Sequence, residues 1–234
     1  MKFISWAKRS IKLLNRSFRD MISSDSFSKP KNHLSFSYNL KIKQPFKPSA
    51  TLQQKKHNLK IAAERIRRNL VMPGDIFSFW KAVGNPNKSE FAVSRGIRGG
   101  VLQLERGGGL CQASGIIYHL SLMAGFQIIE RYNHSKDLYT DETRFCPLGS
   151  DATVAYGYRD LRVRNNTDTP VYFELHVEDD CFTAFLFSEK EITMHDIHFE
   201  YQQRDGNILE AVAIDKSDGK IIATSIYERI EESV

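Results

Sequence analysis

The sequence predicts an α+β fold in which a central helix packs on a mostly antiparallel sheet. The first observation is an apolar helical pattern over residues 111–124, which follows three glycines and ends at Gly125. The second is a series of alternating, strand-like segments after this helix. The third is a set of turn signals around residues 165–168, 206–207 and 218–219. Helices followed by antiparallel strands are the order expected of an α+β domain.

Two helices and two strands are predicted before the central helix. Residues 1–22 combine apolar side chains at helical spacing with many basic residues, which is typical of an amphipathic helix. Residues 23–50 are rich in Ser, Lys, Pro and Asn, so we expect a linker with one short strand around residues 33–40. A second helix over residues 51–71 ends at Pro73-Gly74, and a strand over residues 76–80 precedes a loop-rich run over residues 84–100.

Seven strands are predicted after the central helix. They cover residues 126–132, 151–158, 161–164, 171–177, 182–187, 210–214 and 221–226. The turn at residues 165–168 is expected to join two of them as a hairpin. We therefore divide the chain into a basic amphipathic extension and linker over residues 1–50 and an α+β domain over residues 51–234.

Basic residues are concentrated in the first quarter of the chain. The 234 residues carry a formal net charge of +5, but residues 1–60 alone hold fourteen Lys and Arg against two Asp. Such an arm can meet a polyanion or an anionic lipid surface, or it can be a solvated extension. Nucleic acid is an unlikely partner, because the charge lies in the arm and no nucleic-acid-reading motif accompanies it.

The first 22 residues fit either docking on the body of the protein or a contact with a membrane surface. A basic helix with an apolar face can lie in the membrane interface as a peripheral contact, and the alternative is that it docks on its own protein. No apolar run reaches the ~18–20 residues of a membrane span. No apolar core or cleavage site of a signal peptide is seen. We therefore expect a cytoplasmic protein, held at the inner face of the membrane if the helix binds lipid.

Cys111 is the strongest candidate for a reactive group. It follows Gly107-Gly108-Gly109 and lies in the first turn of the central helix. A helix N-terminus stabilises an anion, so this position favours a thiolate nucleophile, and the free N–H groups there can bind an oxyanion. The next cysteines, Cys146 and Cys181, follow at successive intervals of 35 residues. This spacing indicates neither a disulfide framework nor a CxxC metal site.

His134 and Asp151 are the candidate base and orienting acid. The central helix is ~21 Å long and the strand that returns along it covers ~25 Å, so His134 at the end of that strand can come back to Cys111. Asp151 begins the next predicted strand and can orient the imidazole. We expect the substrate and oxyanion contacts to come from the residues around these three: Gly108, Gly109, Gln112, Ser114, Arg131 and Ser135.

Two other functions use the same region. A non-catalytic binding module would use the glycine-rich loop with Arg95, Arg98, Arg106 and Arg131 to hold a peptide carboxylate or polyanion. A zinc site would use Cys111, His134 and Asp151 as ligands. No cofactor is predicted otherwise. Of the remaining histidines, we interpret His119 as a surface or groove-lining residue, and His195 and His198 as residues without a partner.

The sequence resembles the VanW family, named for an accessory protein in vancomycin-resistance gene clusters. The matching motifs lie within residues 73–170 and are Pro73-Gly74-Asp75-Ile76-Phe77-Ser78-Phe79, Val83-Gly84, Gly107-Gly108-Gly109-Leu110-Cys111-Gln112-Ala113-Ser114, Tyr118, Ala124-Gly125-Phe126, Glu130-Arg131, His134-Ser135, Pro147-Leu148-Gly149-Ser150-Asp151-Ala152-Thr153-Val154, Tyr156-Gly157, Asp160-Leu161-Arg162-Val163 and Asn165-Asn166-Thr167. The resemblance implies a bacterial cell-envelope context connected with antibiotic resistance, and therefore a peptide or cell-wall precursor of the peptidoglycan type as substrate.

A second resemblance concerns the order of the elements. A Cys at a helix start, followed along the chain by His and Asp, is similar to the order in transglutaminases and papain-like enzymes. By that analogy, Cys111 is the nucleophile, His134 the base and Asp151 the orienting residue. The analogy implies a thiol enzyme for acyl transfer or amide hydrolysis.

Overall fold

The helices follow the predicted pattern with two differences: the helix predicted over residues 51–71 ends at Ile66, and one short helix is added. The structure is a computed structural model and describes residues 2–31, 35–98, 101–137, 144 and 146–229. The helices in this part of the chain are α1 (Lys2–Ile22), α2 (Leu52–Ile66), α3 (Phe79–Val83) and α4 (Leu110–Met123). The short α3 replaces the end of the strand that we predicted over residues 76–80, because Ser78 caps it by accepting the N–H of Lys81.

The strands form small, mostly antiparallel sheets. In chain order they are β1 (Lys29–Pro30), β2 (Tyr38–Pro45), β3 (Asn69–Leu70), β4 (Ile76–Ser78), β5 (Val93–Arg98), β6 (Val101–Arg106), β7 (Gln127–Glu130), β8 (Lys136–Asp137), β9 (Arg162–Arg164), β10 (Val171–Val177), β11 (Cys181–Ser188), β12 (Ile197–Gln203), β13 (Ile208–Asp215) and β14 (Lys220–Arg229). The larger sheets have the orders β10-β11-β2, β12-β13-β14-β8 and β4-β9-β7. Among the strands of the described residues, β8 and β14 pair in parallel and the other pairs are antiparallel. The fold is therefore α+β, as predicted.

Helix α4 is the centre of the fold because it is apolar on almost every side. Ala113, Ile116, Ile117 and Leu120 are completely buried, in one core with residues of α2, β10 and β11. The helix ends where Gly125 takes a φ of +66° and donates its N–H to Leu122.

Strand β2 lies in the stretch that we predicted as a linker. It begins at Tyr38, later than the expected strand over residues 33–40, of which 33 and 34 lie outside the described residues. All eight of its residues pair antiparallel with β11. The cause is the partner strand: β11 is buried and offers an edge that a local sequence pattern cannot reveal.

Three local predictions were wrong. Residues 93–98 and 101–106 pair as the antiparallel strands β5 and β6, the β5–β6 hairpin, inside a region expected to be mostly loop. Residues 151–158 form no strand, since their backbone bonds to neighbouring groups instead, including Ser114 Oγ to the carbonyl of Ala152 at 2.6 Å. The turn after β9 does not make a hairpin, because β9 and β10 belong to different sheets. In this turn the side-chain amide of Asn165 donates hydrogen bonds to the carbonyls of Val71 and Thr169.

Helix α1 docks on the body of the protein through its polar side. Arg16 makes two bonds to Glu130, of 2.5 and 2.8 Å, and Asp20 makes two to Arg162, of 2.7 and 3.0 Å. Glu130 also accepts the backbone N–H of Asp160 at 3.0 Å. Within the described residues, no helix has both the length and the apolar character needed to cross a membrane.

Candidate active site

A cleft of about 560 Å³ opens beside the first turn of α4. Its lining comes from distant parts of the chain, namely Arg9 of α1, residues within 44–55, Trp80, the β5–β6 hairpin, residues within 134–159 and Tyr227 of β14. Cys111, His134 and Asp151 all line this cleft. The structure therefore brings together the three residues predicted as nucleophile, base and orienting acid.

Cys111 lies at the second position of α4 and is partly exposed to the cleft. The residue before the helix is Gly109, whose φ of +96° suits glycine. A Cβ there would lie 2.6 Å from Cγ of Lys55, so glycine is also needed for the close approach of that side chain. The thiol Sγ lies 3.8 Å from the carbonyl of Val154.

His134 and Asp151 form a hydrogen-bonded pair. Nδ1 of His134 lies 2.6 Å from Oδ2 of Asp151, and the backbone N–H of His134 donates to the same oxygen at 2.7 Å. A carboxylate on Nδ1 holds that nitrogen as the N–H and leaves Nε2 available for proton transfer. Nε2 is buried and makes no hydrogen bond within the described part of the chain.

Asp151 is fixed by two further side chains. Arg131 donates Nε to its backbone carbonyl at 2.8 Å and Nη2 to its Oδ1 at 3.2 Å. The hydroxyl of Tyr227 donates to the same Oδ1 and accepts the N–H of Gly149 at 3.1 Å. Arg131 also lies over the ring of Tyr118, with its guanidinium 4.7 Å from the ring centre. These contacts hold the carboxylate in one orientation, with Oδ2 turned to His134.

The charges of the site oppose the effect of burial. Burial alone would lower the pKa of His134, but its interactions with Asp151 and Cys111 outweigh burial and raise the pKa to about 10. Burial would likewise raise the pKa of Asp151, but His134, Arg131 and Tyr227 hold it below its usual value. Cys146 lines the same cleft, and burial raises the pKa of its thiol to about 11. The two cysteines of the cleft therefore have different surroundings, since only Cys111 has an imidazole beside it.

Three buried polar atoms in the cleft lining lack a partner within the described residues. They are Nε2 of His134, Oε1 of Gln112 and Oγ1 of Thr153. Buried polar atoms are nearly always hydrogen-bonded, so a cluster of unpaired ones is a feature of sites that bind ligands. The free atom of Gln112 is an acceptor, because its Nε2 already donates to Gln44 at 3.1 Å.

The predicted substrate contacts divide into two groups. Gly109, Gln112 and Ser135 line the cleft, whereas Gly108, Ser114 and Arg131 do not. Gly108 lies where a Cβ would meet the backbone of Ser94 at 2.4 Å, and Ser114 bonds backbone carbonyls. Arg131 holds Asp151 and so positions the site. The amide of Gln112 is engaged with Gln44 and does not supply the oxyanion donor that we expected from it.

Several lining residues were not predicted from the sequence. Gln44 of β2 and Tyr227 of β14 line the cleft, and no pattern near either residue indicates a site. Thr153 lies in the motif that contains Asp151, but no role was predicted for it. Lys55 of α2 was not predicted either. It lines the cleft, and burial, with the charge of Arg95, lowers its pKa to about 8.

The cleft is basic. Among its described lining residues, eight are Lys or Arg and three are Asp or Glu. Arg95 and Arg106 of the proposed binding groove are among them, while the side chain of Arg98 lies outside the described residues. One of the three acids, Asp151, is already engaged with His134 and Arg131. The lining thus suits a ligand that carries negative charge.

The zinc alternative lacks a suitable ligand geometry. Among the described residues, the group whose ligand atoms lie close enough to share a metal ion is Glu178, Asp180 and Cys181, away from the cleft. Cys111, His134 and Asp151 form no such group, because Asp151 is turned to Nδ1 of the imidazole.

Two histidines outside the site differ from our interpretation. His119 is neither exposed nor part of the cleft: it packs edge-on against Phe199 at 5.5 Å, and burial lowers its pKa to about 4. His195 has a partner, since its Nδ1 lies 2.5 Å from Oδ2 of Asp215. His198 is exposed, as expected of a residue without a role in the core.

Comparison with known proteins places these residues in a family. A family model described as "VanW like protein" matches residues 54–187, which include Cys111, His134 and Asp151. The vancomycin B-type resistance protein VanW of Enterococcus faecalis (strain ATCC 700802 / V583) is 28% identical over 169 residues, 70% of this chain and 62% of that protein. The uncharacterized protein YoaR of Bacillus subtilis (strain 168) is 32% identical over 120 residues, 51% of this chain and 38% of that protein.

These matches span less than two thirds of either relative's length. No solved structure matches the chain, so the order of elements shared with transglutaminases and papain-like enzymes stays a prediction. The family model, in contrast, covers more than half of the chain and contains Cys111, His134 and Asp151, which line the cleft. The chain therefore belongs to the family of VanW-like proteins.

Proposed function

We propose that this protein is a thiol enzyme of the bacterial cell envelope that transfers an acyl group from, or hydrolyses an amide in, a peptide of the peptidoglycan type. One observation carries the proposal: Cys111, His134 and Asp151 line one cleft, with Nδ1 of the imidazole bound to Asp151 and Nε2 unpaired. This is the arrangement that a cysteine nucleophile, a base and an orienting acid require.

The reaction has two steps. The thiolate sulfur of Cys111 attacks the amide carbonyl carbon and forms a C–S bond. The C–N bond then breaks, and the leaving amine takes the proton from Nε2 of His134. Water or a second amine next attacks the thioester and gives its proton to Nε2, and the C–S bond breaks to return the thiolate. Water yields a carboxylic acid and an amine acceptor yields a new amide.

The first turn of α4 supplies the oxyanion contact. The N–H groups of Leu110 and Gln112 already donate to Gly107 and Gly109. We therefore assign the oxyanion to the backbone N–H of Cys111, beside the positive end of the helix dipole. Of the N–H groups at the helix start that were predicted as oxyanion donors, this assignment retains one.

The proposed substrate class rests on the unpaired groups of the cleft and on the name of the Enterococcus faecalis relative. Oε1 of Gln112 needs a donor such as a peptide N–H, and the basic lining favours a peptide that bears carboxylates. The relative of Enterococcus faecalis is named as a vancomycin B-type resistance protein, which supports a cell-wall peptide. Peptidoglycan stem peptides have both features, since they combine amide N–H groups with free carboxylates.

A second candidate function is binding without catalysis. The basic lining favours it, because Lys55, Arg95 and Arg106 would hold a carboxylated peptide or another polyanion whether or not the thiol reacts. The two functions differ in their dependence on sulfur. An enzyme loses turnover without the Cys111 thiol, whereas a binding module keeps its affinity.

The test compares Cys111→Ser with the parent protein on a synthetic stem peptide, with Cys146 and Cys181 replaced by Ala in both. Mass spectrometry follows the products and the thioester on the intact protein, and calorimetry follows binding. Turnover that disappears in Cys111→Ser while peptide binding remains supports the enzyme. Equal binding by both proteins with no product from either favours the binding module.

A further inference from the structure

The outer face of α1 is apolar and uncovered, although this helix docks on the protein. Arg9, Leu13, Arg16 and Asp20 turn toward the body, and the last two make the paired bonds to Glu130 and Arg162 described above. The opposite face carries large apolar side chains that are each between 57% and 72% exposed: Ile11, Leu14, Phe18, Met21 and Ile22.

These five side chains form a continuous stripe. At about 100° per residue they fall within an arc of about 100°, centred about 160° from the docked side. A helix of a soluble domain normally turns its apolar stripe to the core. In α1 the polar side is the one fixed to the body, so the apolar stripe is an interaction surface of the folded protein.

We propose that α1 binds the surface of an anionic lipid bilayer through this stripe. The charges around the stripe favour lipid as the occupant. Every charged residue from Lys2 to Arg19 is basic, and the first acidic residue, Asp20, is turned inward to Arg162. Lys8 and Arg19 are exposed along one flank of the stripe, where they can reach anionic headgroups, whereas Lys12 on the same flank lies over the ring of Tyr158 at 4.6 Å.

A second copy of the chain fits the same surface less well. Two such helices that packed stripe to stripe would bring the basic flanks of both copies together without an acidic partner. A bilayer accepts the apolar side chains to a depth of about 5–10 Å and offers negative charge at the level of the lysines. The observed pattern of apolar face and basic flank therefore matches a lipid surface.

Because α1 is docked beside the cleft, a bilayer bound to α1 would lie close to the cleft. Arg9, on the docked side, lines the cleft, and so do Tyr158 and Arg159 next to it. A helix is about 10–12 Å across with its side chains, so a bound bilayer lies about that distance from this rim of the cleft. Lipid binding does not depend on the chemistry proposed for Cys111, and the two proposals can fail independently.

Vesicle flotation of the full chain tests the proposal. The vesicles are phosphatidylcholine alone or a three-to-one mixture with phosphatidylglycerol, at low and high salt. We expect the protein to float with the anionic vesicles at low salt and about tenfold less in high salt or with neutral vesicles. The double variant Leu14→Glu/Phe18→Glu is expected to lose binding about tenfold or more.

The matched control is Met194→Glu/Ile221→Glu, which makes the same chemical change at two apolar residues exposed by 58% and 61% elsewhere on the protein. Circular dichroism checks that both variants fold. Equal flotation of the two variants, or no flotation of the parent protein with anionic vesicles, overturns the proposal. A parent dimer that only the α1 variant dissociates, with no vesicle binding, would assign the stripe to a second copy.

Discussion

Asp151 holds His134 at two points with one oxygen: Oδ2 lies 2.6 Å from Nδ1 of the ring and 2.7 Å from the backbone nitrogen. Ring and main chain are therefore fixed together, and rotation of the imidazole would break one of the two bonds. Because Oδ1 of the same carboxylate is bound by Arg131 and Tyr227, the acid itself cannot turn freely. The orientation of the imidazole is therefore built into the fold before any substrate arrives.

The first prediction concerns the reactivity of Cys111. In a Cys146→Ala/Cys181→Ala background, we expect alkylation at pH 6 about tenfold faster than that of a small free thiol, because an adjacent imidazolium favours the thiolate. His134→Gln should slow the reaction at pH 6 about tenfold or more. Intact mass at timed intervals measures both rates. An alkylation rate that does not change in His134→Gln would leave the Cys-His pair without support.

The second prediction concerns Tyr227 as a positioning residue. Tyr227→Phe removes the bonds to Asp151 and Gly149 without a large change in volume, and should lower the free energy of unfolding by about 1–3 kcal/mol. It should also move the pH profile of Cys111 alkylation, which a purely structural role would not do. Tyr132→Phe, at a partly exposed tyrosine, is the control. A profile identical to that of the parent protein would limit Tyr227 to a structural role.

The third prediction concerns stability at alkaline pH. The pKa of His134 rises from about 6.5 to about 10 on folding, so its charged form stabilises the native state fully below pH ~6.5. That contribution is lost progressively as the pH rises from ~6.5 to ~10. The stability advantage of the parent protein over His134→Gln, from urea unfolding at several pH values, should therefore shrink across this range. A stability difference between the parent protein and His134→Gln that stays constant from pH 6 to pH 10 would contradict this prediction.

The fourth prediction concerns stability in acid. His119 stays neutral in the folded protein down to pH ~4, whereas the unfolded chain takes up a proton near pH 6.5. The native state therefore loses up to about 3 kcal/mol relative to the unfolded state as the pH falls through this interval. His119→Leu should be less sensitive to acid than the parent protein. His198→Leu, which removes an exposed imidazole, should follow the parent, and equal acid sensitivity of all three proteins would refute the effect.

The meeting of Cys111, His134 and Asp151 could be predicted from local information. The helix and the returning strand have matched lengths, and the fold class followed from their order. The strand itself is shorter than expected, at Gln127–Glu130, and the chain beyond it runs on to His134 without regular pairing. The predicted return of His134 to Cys111 still holds, because an irregular extended segment covers nearly the same distance as a strand.

The rest of the site depends on contacts between distant parts of the chain. Tyr227 reaches Asp151 across 76 positions, and Gln44 reaches Gln112 across 68. No periodicity or turn signal near either residue records such a contact, because it is created when sheets pack on α4. The orientation of the Gln112 amide was likewise beyond sequence reasoning, since only the position of Gln44 decides which of its atoms remains free.

The pairing of β8 with β14 has a consequence for the timing of assembly during synthesis. The segment after His134 is held by β14, through the parallel pairing of Lys136 with Glu228 and the bond from the N–H of Glu228 to the carbonyl of Ser135. A nascent chain that has not yet released residues 220–229 from the ribosome can form α4 and expose the Cys111 thiol, but it lacks Tyr227 and the strand that anchors this segment. Cys111, His134 and Asp151 can therefore reach their final arrangement only after residues 220–229 have left the ribosome, and a product truncated before residue 220 carries the thiol without Tyr227 and β14.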